Sequence, residues 1–152
     1  MADFQKSRKK YEGELVDLLM EDTKCLAEPA GKTQGWDVLL FLTAKRSSKP
    51  SSATATTPVI CFEVKTSKHK KVYLNASKRT RLQLKRYRGL RSSYGVPTVY
   101  AFRHVSMSRK SAREKWRFIP VDSMTRKGTL DFQAGITYKE MIRRIKHAKK
   151  IL

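Results

Sequence analysis

The sequence predicts a layered domain of the α/β or α+β class, in which a central mixed β-sheet is flanked by helices. The prediction depends on the order of the elements that hydrophobic periodicity indicates, which is helix, strands, helix, strands, helix. At 152 residues, with 39% hydrophobic residues and no internal repeat, the chain is long enough to bury one core of its own. We therefore expect a single domain over 1–152.

Three segments have the spacing of amphipathic helices, because apolar residues recur in them every three or four positions. The first covers 9–22 and the second, which is strongly basic, covers 77–94. The third opens at Thr137, which has capping-box spacing to Glu140, and its apolar stripe continues to Leu152. These segments supply the helical layers of the predicted fold.

Four segments rich in β-branched and aromatic residues predict strands at 36–43, 59–67, 98–102 and 116–121. The segment 45–58 is rich in Ser, Thr and Pro and has almost nothing to bury, so it predicts a flexible loop. We expect this loop to link the first two strands in an antiparallel arrangement.

The charge of the chain is the strongest indication of its partner. The sequence contains 34 Lys and Arg against 13 Asp and Glu, a formal net charge of +21. Such an excess predicts a polyanionic partner, and nucleic acid is the natural one because each neutralised phosphate releases counterions. A ribosomal or chromatin protein would show the same excess. We expect no membrane association, since no segment approaches the roughly 20 apolar residues of a spanning helix.

The N-terminus indicates where the protein acts, and the cysteines and histidines carry no predicted chemistry. The first ten residues lack the apolar core of a signal peptide, which favours a cytoplasmic, nucleoid-associated protein or a viral protein acting in the host cytoplasm. Cys25 and Cys61 lack metal-site spacing and are expected to be buried thiols. The histidines are scattered along the chain and are assigned no role: His69, His104 and His147.

An acid, a second acid and a lysine are predicted to meet on two neighbouring strands. Side chains alternate along a strand, so Glu63 and Lys65 share one face of 59–67. Asp37 stands near the start of the preceding strand, where a lone Asp is disfavoured by propensity, which favours a functional role. An ion pair on an exposed strand face is the alternative interpretation of Glu63 and Lys65.

A third acid is predicted on the first helix. Glu12 falls inside the apolar stripe of 9–22, whereas Glu14, Asp17 and Glu21 are expected to project away from it. A carboxylate that faces an apolar surface loses solvation unless a cation, a metal or a hydrogen-bond donor pairs with it. A partly exposed glutamate in the first helical turn is the alternative.

Together these residues predict a metal-dependent nuclease. Hydrolysis of a phosphodiester needs an activated water, a polarised phosphate and a neutralised leaving oxygen, and divalent ions support all three. Mg²⁺ prefers hard oxygen ligands, which the carboxylates of Glu12, Asp37 and Glu63 and the carbonyl of Val64 would supply. Lys65 would orient the attacking water or stabilise the charge that develops on the phosphate.

Basic residues around the predicted site are candidates for DNA contacts, because phosphate binding by Lys and Arg positions a protein on nucleic acid. A basic face that only keeps the protein soluble is the alternative. The predicted DNA-binding residues are Lys32, Lys45, Arg46, Lys68, Lys70, Lys71, Arg79, Arg81 and Lys85.

Four stretches agree in order and spacing with one protein family. They are Tyr-Glu-Gly-Glu-Leu at 11–15, Gly-Trp-Asp-Val-Leu at 35–39, Cys-Phe-Glu-Val-Lys at 61–65 and Trp-Arg-Phe-Ile-Pro at 116–120. Through them the chain resembles the archaeal-type Holliday junction resolvases of the PD-(D/E)XK nuclease superfamily, from about Tyr11 to Val121. The resemblance implies a restriction-endonuclease-like α/β fold.

The resemblance also implies an activity and a set of site residues. It places the family's helix-borne glutamate on Glu12 rather than Glu14, its strand aspartate on Asp37, and its Glu-x-Lys pair on Glu63 and Lys65. It further implies a homodimer that depends on Mg²⁺ or Mn²⁺ and makes paired symmetric nicks in a four-way DNA junction. A two-fold protein suits that substrate because it offers two equivalent sites to a two-fold branched DNA.

The chain departs from the family pattern in two places. Trp36 stands where the superfamily has a nominal proline, and the loop 45–58 is longer than is usual. The run Gln-Leu-Lys-Arg-Tyr at 83–87 is similar to the QxxxY element of recombination-type exonucleases in the same superfamily. The alternatives are therefore another PD-(D/E)XK DNA nuclease, either restriction-like or flap- and strand-processing, and a non-catalytic nucleic-acid-binding protein of the same fold.

Overall fold

The computed structural model describes residues 2–31, 35–42, 58–106, 109–124 and 128–151. Within these ranges the chain forms three α-helices and eight β-strands, in an order that alternates helix and strand layers. The elements are α1 (Ala2–Thr23), β1 (Leu26–Pro29), β2 (Val38–Phe41), β3 (Val59–Ser67), β4 (Lys71–Tyr73), α2 (Lys78–Tyr94), β5 (Thr98–His104), β6 (Trp116–Pro120), β7 (Thr129–Asp131), β8 (Ile136–Thr137) and α3 (Tyr138–Ile151).

A six-stranded mixed sheet forms the centre of the fold, in the order β1-β2-β3-β5-β6-β8. Its neighbouring strands are antiparallel except for β3 and β5, which run parallel with Val64 opposite Ala101. A parallel pair needs a crossover connection, and α2 lies within the segment that provides it. Strands β4 and β7 form a separate two-stranded ribbon. The structure thus confirms the predicted α/β fold with a mixed sheet flanked by helices.

Apolar layers cover both faces of the central strands. One buried layer joins α1 and α3 to the sheet through residues that include Phe62, Val64 and Phe118. The other joins α2 to the sheet through residues that include Tyr87 and Tyr100. Because side chains alternate along β3, its even-numbered residues enter the first layer and its odd-numbered residues face α2. The polar residues Glu63 and Lys65, at odd positions of β3, therefore contact that helix.

Helix α2 is fixed at both ends by local capping. At its start, the Ser77 hydroxyl accepts a hydrogen bond from the Thr80 amide at 3.2 Å. At its end, Gly95 takes a left-handed conformation with φ 66°, and its N–H donates to the Arg91 carbonyl. The caps set where this basic helix begins and ends over the sheet.

Helix α1 is held to the sheet by a buried ion pair. Arg103 on β5 is 6% exposed and donates from Nε to Glu14 Oε1 at 2.9 Å and from Nη2 to Oε2 at 3.2 Å. The indole Nε1 of Trp116 donates to the same carboxylate at 2.8 Å. The expectation that Glu14 projects away from the sheet is therefore wrong, because a buried arginine draws it inward.

Short edge elements account for most of the differences from the sequence prediction. No strand was predicted at β1, which has four residues and ends in Pro29, a residue that an edge strand tolerates. β7 and β8 have three and two residues, too few for alternation to reveal them. Helix α1 begins at Ala2, before the predicted start. No helix in the described ranges is long and apolar enough to cross a membrane.

Other expectations concern the loop and the cysteines. The predicted loop 45–58 lies outside the described residues except for Pro58, whose carbonyl accepts from the Leu42 amide at 2.9 Å. The strands on either side of the loop, β2 and β3, are antiparallel as predicted. Cys25 and Cys61 are both free and buried, also as predicted.

Candidate active site

Asp37 lies where β2 begins, and its carboxylate accepts a hydrogen bond that a strand backbone would otherwise accept. Its N–H donates to the Phe62 carbonyl at 2.9 Å. Its side-chain Oδ2 accepts a hydrogen bond from the Val64 N–H at 2.8 Å. If β2 were longer, one of its backbone carbonyls would accept that bond. The Asp37 carboxylate is thereby oriented at the edge of β3, beside the next residues of that strand.

Glu63 is a buried carboxylate with a complete set of partners. It is 1% exposed, and α2 covers it. Its Oε1 accepts from Lys65 Nζ at 2.9 Å and from Gln83 Nε2 at 3.0 Å, and its Oε2 accepts from the Tyr87 hydroxyl at 2.7 Å. Burial raises the pKa of Glu63 above the ordinary glutamate value, although the charge of Lys65 opposes the rise.

Lys65 is held in place by two acceptors. Besides its bond to Glu63, its Nζ donates to Gln83 Oε1 at 3.2 Å, and its side chain is 19% exposed. The ion pair between Glu63 and Lys65 therefore exists, but it lies beneath a helix rather than on an exposed strand face. The ammonium group is positioned by the protein, and the side chain is only partly buried.

Glu12 approaches the other acids from α1. Its side chain is 18% exposed, and its carboxyl lies near that of Asp37. Burial, together with the nearby Asp37, raises the pKa of Glu12. Glu12 thus lies at the acidic cluster, whereas Glu14, two residues further along the helix, is committed to the ion pair with Arg103.

Arg8, which the sequence interpretation missed, joins the three acids. Its Nε is 3.3 Å from Glu12 Oε1, and its Nη2 is 2.9 Å from Asp37 Oδ1 and 3.7 Å from Glu63 Oε1. Burial lowers the pKa of Arg8, but the charges of Asp37 and Glu63 raise it overall. The spacing of four residues from Glu12 on one helix is the signal that pointed to this contact.

The backbone of Val64 also faces the cluster. The Cys61 N–H donates to Pro97 and the Ser67 carbonyl accepts from Val105, so backbone groups of odd-numbered β3 residues point toward β5. The even-numbered residues point the opposite way, as the Val64 N–H bond to Asp37 shows. Since N–H and C=O of one strand residue point to the same side, the Val64 carbonyl is directed to the side of Asp37.

The donor set fits a hard divalent cation, but the side chains are paired with protein cations as they stand. Carboxylates and a carbonyl are the ligands that Mg²⁺ and Mn²⁺ prefer. Within the described ranges, no three His, Cys, Asp or Glu side chains are arranged to hold a metal ion. In this arrangement Arg8 contacts one oxygen of Glu12, Asp37 and Glu63 each, and Lys65 contacts Glu63.

Gln83 and Tyr87 form the wall of the site on α2. Their spacing of four residues places them on one face of the helix, and both bind Glu63. Burial and the charge of Glu63 raise the pKa of Tyr87, so its hydroxyl remains a donor. The QxxxY spacing was visible in the sequence, but only the packing of α2 on β3 shows what these two residues contact.

Trp36, which replaces the nominal proline, supports this wall. Its ring stacks on Tyr87 with the centroids 6.1 Å apart, and its Nε1 donates to Thr98 Oγ1 at 3.2 Å. The Tyr87 hydroxyl also contacts the Gly35 carbonyl. The residues just before Asp37 are therefore packed against the same tyrosine that holds Glu63.

Six of the nine predicted DNA-binding residues are described and exposed, and they form two groups. Three exposed lysines follow β3 directly, and three exposed cations lie on α2, the helix that covers Glu63. Lys71 is 3.9 Å from Asp131. The first group is Lys68, Lys70 and Lys71, and the second is Arg79, Arg81 and Lys85. Lys32, Lys45 and Arg46 lie outside the described residues.

A search of solved structures finds the same fold in a protein of distant sequence. The chain is similar to Archaeoglobus fulgidus Hjc, a Holliday junction resolvase from an archaeal hyperthermophile, with a TM-score of 0.56 and 18% sequence identity. The match covers 89% of this chain and 94% of that one. No protein-family model and no curated protein matches the sequence. The likeness confirms the predicted fold.

Proposed function

We propose that the chain is a metal-dependent DNA endonuclease that resolves four-way junctions by paired symmetric nicks. The observation that carries the proposal is the joining of Glu12, Asp37, Glu63 and Lys65 into one contact cluster on the fold of a Holliday junction resolvase. The high positive charge supports DNA as the substrate, since phosphates would otherwise be repelled by the acids of the site.

Glu12, Asp37 and Glu63, with the carbonyl of Val64, would hold Mg²⁺ or Mn²⁺. When bound, the ion supplies Lewis-acid chemistry that polarises the phosphate and makes water more acidic. Two of these acids are already oriented by the protein, because the Val64 N–H donates to Asp37 and the Gln83 amide donates to Glu63. Such preorganised groups need little rearrangement during the reaction.

Lys65 would act on the reacting phosphate directly. Its ammonium is fixed by Glu63 and Gln83, and the side chain as a whole is 19% exposed, so we propose that the ammonium can approach a substrate oxygen. In that position it stabilises the negative charge that develops on the phosphate, or orients the attacking water. Tyr87 and Gln83 would be positioning residues, since they act through Glu63.

A junction supplies two equivalent strands to cut, so we propose that two copies of the chain act together as a homodimer. The exposed cations after β3 and on α2 would contact the phosphates on either side of each cut. The enzyme would act on DNA in the cytoplasm, at the nucleoid or as a viral protein in the host cell. Binding should weaken steeply with salt.

A junction-nicking assay with matched variants tests the proposal. Asp37→Asn and Lys65→Ala should lower the nicking rate at least about 100-fold while junction binding is retained, because they remove groups that act in the transition state. Asp17→Asn is the control, since Asp17 is an exposed acid on α1 outside the cluster. Equal nicking by Asp37→Asn and the wild type would refute the proposal.

The DNA panel and the metal separate the alternatives. A resolvase should nick four-way junctions at symmetry-related positions and largely spare linear duplex. Preferential cutting of flaps or linear ends would indicate another nuclease with the same site. Binding that is insensitive to EDTA, with no cutting of any DNA in Mg²⁺ or Mn²⁺, would indicate a non-catalytic nucleic-acid-binding protein.

A further inference from the structure

The guanidinium of Arg8 occupies the centre of the acidic cluster. It is 2.9 Å from Asp37, 3.3 Å from Glu12 and 3.7 Å from Glu63, measured between the nearest paired nitrogen and oxygen atoms. These are the three carboxylates to which the proposed function assigns a divalent ion. An arginine and a divalent cation in one small site repel each other, so they compete for the same oxygens.

We infer that Arg8 is an internal competitor of the metal. It neutralises the carboxylates in the metal-free protein, leaves them when a divalent ion binds, and then contacts a phosphate of the DNA. The inference rests on the proposed function and deepens it, because it adds a control on metal loading at the same site. Arg8 thereby links the arrival of the metal to the binding of the substrate.

The charge balance of the cluster supports this exchange. When ionised, the three carboxylates carry three negative charges, and Lys65 and Arg8 offset two of them. A divalent ion in place of Arg8 brings the cluster to neutrality, and nothing then remains to hold a further cation there. A phosphodiester adds one negative charge, which the released guanidinium can match with its planar fork of donors.

Lys65 and Arg8 have different surroundings, and only those of Arg8 leave its side chain free to exchange partners. Lys65 is 19% exposed and is also bound by the neutral amide of Gln83, so it stays in place when a carboxylate changes partner. Arg8 is 43% exposed, and its polar contacts among the described residues are with the carboxylates alone. Its side chain can therefore turn toward solvent while α1 keeps its position.

Titration of the full-length protein with Mn²⁺ alone, without DNA, tests the competition. Arg8→Gln should bind Mn²⁺ about 5-fold or more tightly than the wild type, a typical coupling between competing ligands. Lys9→Gln is the matched control, because it removes one positive charge from the next, exposed position of α1 and should leave the affinity unchanged. Arg8→Lys, whose ammonium cannot reach three carboxylates at once, should show a smaller gain.

Junction binding in two conditions tests the second half of the inference. In EDTA, Arg8→Gln and the wild type should bind the junction equally, because Arg8 is engaged by the acids. In Ca²⁺, which takes the same oxygen ligands, the wild type should bind more tightly. In Ca²⁺ the slope of log binding constant against log salt concentration should be steeper for the wild type than for Arg8→Gln by about 0.9, the value for one added phosphate contact.

The results separate failure of this inference from failure of the proposed function. Wild-type or weaker Mn²⁺ affinity in a folded Arg8→Gln protein would overturn the inference, and junction nicking by the wild type would still support the proposed function. Should Arg8→Gln fail to fold, the same comparison is made with Arg8→Lys. Absence of Mn²⁺ binding by all variants, together with absence of nicking, would overturn both.

Discussion

The buried ion pair between Glu14 and Arg103 allows a quantitative prediction. Glu14→Ala removes the bidentate partner of an arginine that is 6% exposed and the acceptor of the Trp116 indole N–H. Breaking a buried pair on one side costs about 3–5 kcal/mol, because the remaining charge stays buried. The Glu14 side chain is 23% exposed, so solvent screens part of this loss. We therefore expect about 3 kcal/mol.

Urea unfolding measures this loss. With an m-value of about 2 kcal/mol/M, a loss of that size lowers the midpoint by about 1.5 M. Glu21→Ala is the matched control on the same helix, since Glu21 is 67% exposed and pairs with Arg113 at the surface. Exposed pairs contribute below about 1 kcal/mol, so its midpoint should move little.

The cause of the loss can be tested separately from its size. Replacing both partners, as in Glu14→Ala combined with Arg103→Met, removes the unpaired charge and should recover part of the stability. A change of less than about 1 kcal/mol in Glu14→Ala would refute the reasoning, because the smallest expected cost of a stranded buried charge exceeds it. No recovery in the double variant would show that lost packing, not charge, dominates.

Three further predictions concern the site and its substrate. Tyr87→Phe should lower the free energy of unfolding by about 1–2 kcal/mol, because it removes the hydroxyl that Glu63 accepts from; Tyr94→Phe, at a side chain that is 78% exposed, should change nothing measurable. Burial raises the pKa of Glu63, so the folded protein holds this proton more tightly than the unfolded chain. The contribution of Glu63 to the free energy of unfolding is therefore largest in acid, and it falls as pH rises from about 4.5 through the raised pKa of the folded state. When urea unfolding is measured across this pH range, the free energy of unfolding should decline less in Glu63→Gln than in the wild type. A steeper decline of the free energy of unfolding in Glu63→Gln would contradict the raised pKa of Glu63. Lys85→Ala should reduce the salt slope of junction binding by about 0.9 and Lys139→Ala, on α3, should not, as filter binding at several salt concentrations can show.

Much of the fold could be predicted because it is encoded in local periodicity. The apolar stripes identified α1, α2 and α3, and alternation identified β3 and placed Glu63 and Lys65 on one face. Three short strands escaped, because each has too few residues for a period to be recognised in its own sequence. β1, β7 and β8 are of this kind, and each is specified by the strand beside it rather than by its own residues.

The cluster itself depends on packing that local spacing does not contain. Glu12, Asp37, Glu63 and Lys65 could be named from their residue types and positions. In the structure Arg8 bridges the three acids, and Lys65 pairs with Glu63. The burial of Glu63 beneath α2 and the contacts of Arg8 with Asp37 and Glu63 could not be anticipated, since they depend on how each helix is placed on the sheet. The expectation for Glu14 was wrong for the same reason.

The amino-acid sequence by itself determined the order of the elements, the excess of positive charge and the acid and lysine residues available for chemistry, because these are properties of neighbouring residues. The tertiary structure alone decided which charges pair across separate elements. Arg103 is 89 residues from Glu14 and Arg8 is 29 residues from Asp37, and such pairs form only when separate elements pack together. The low dielectric of the packed interior then makes each partner choice energetically significant.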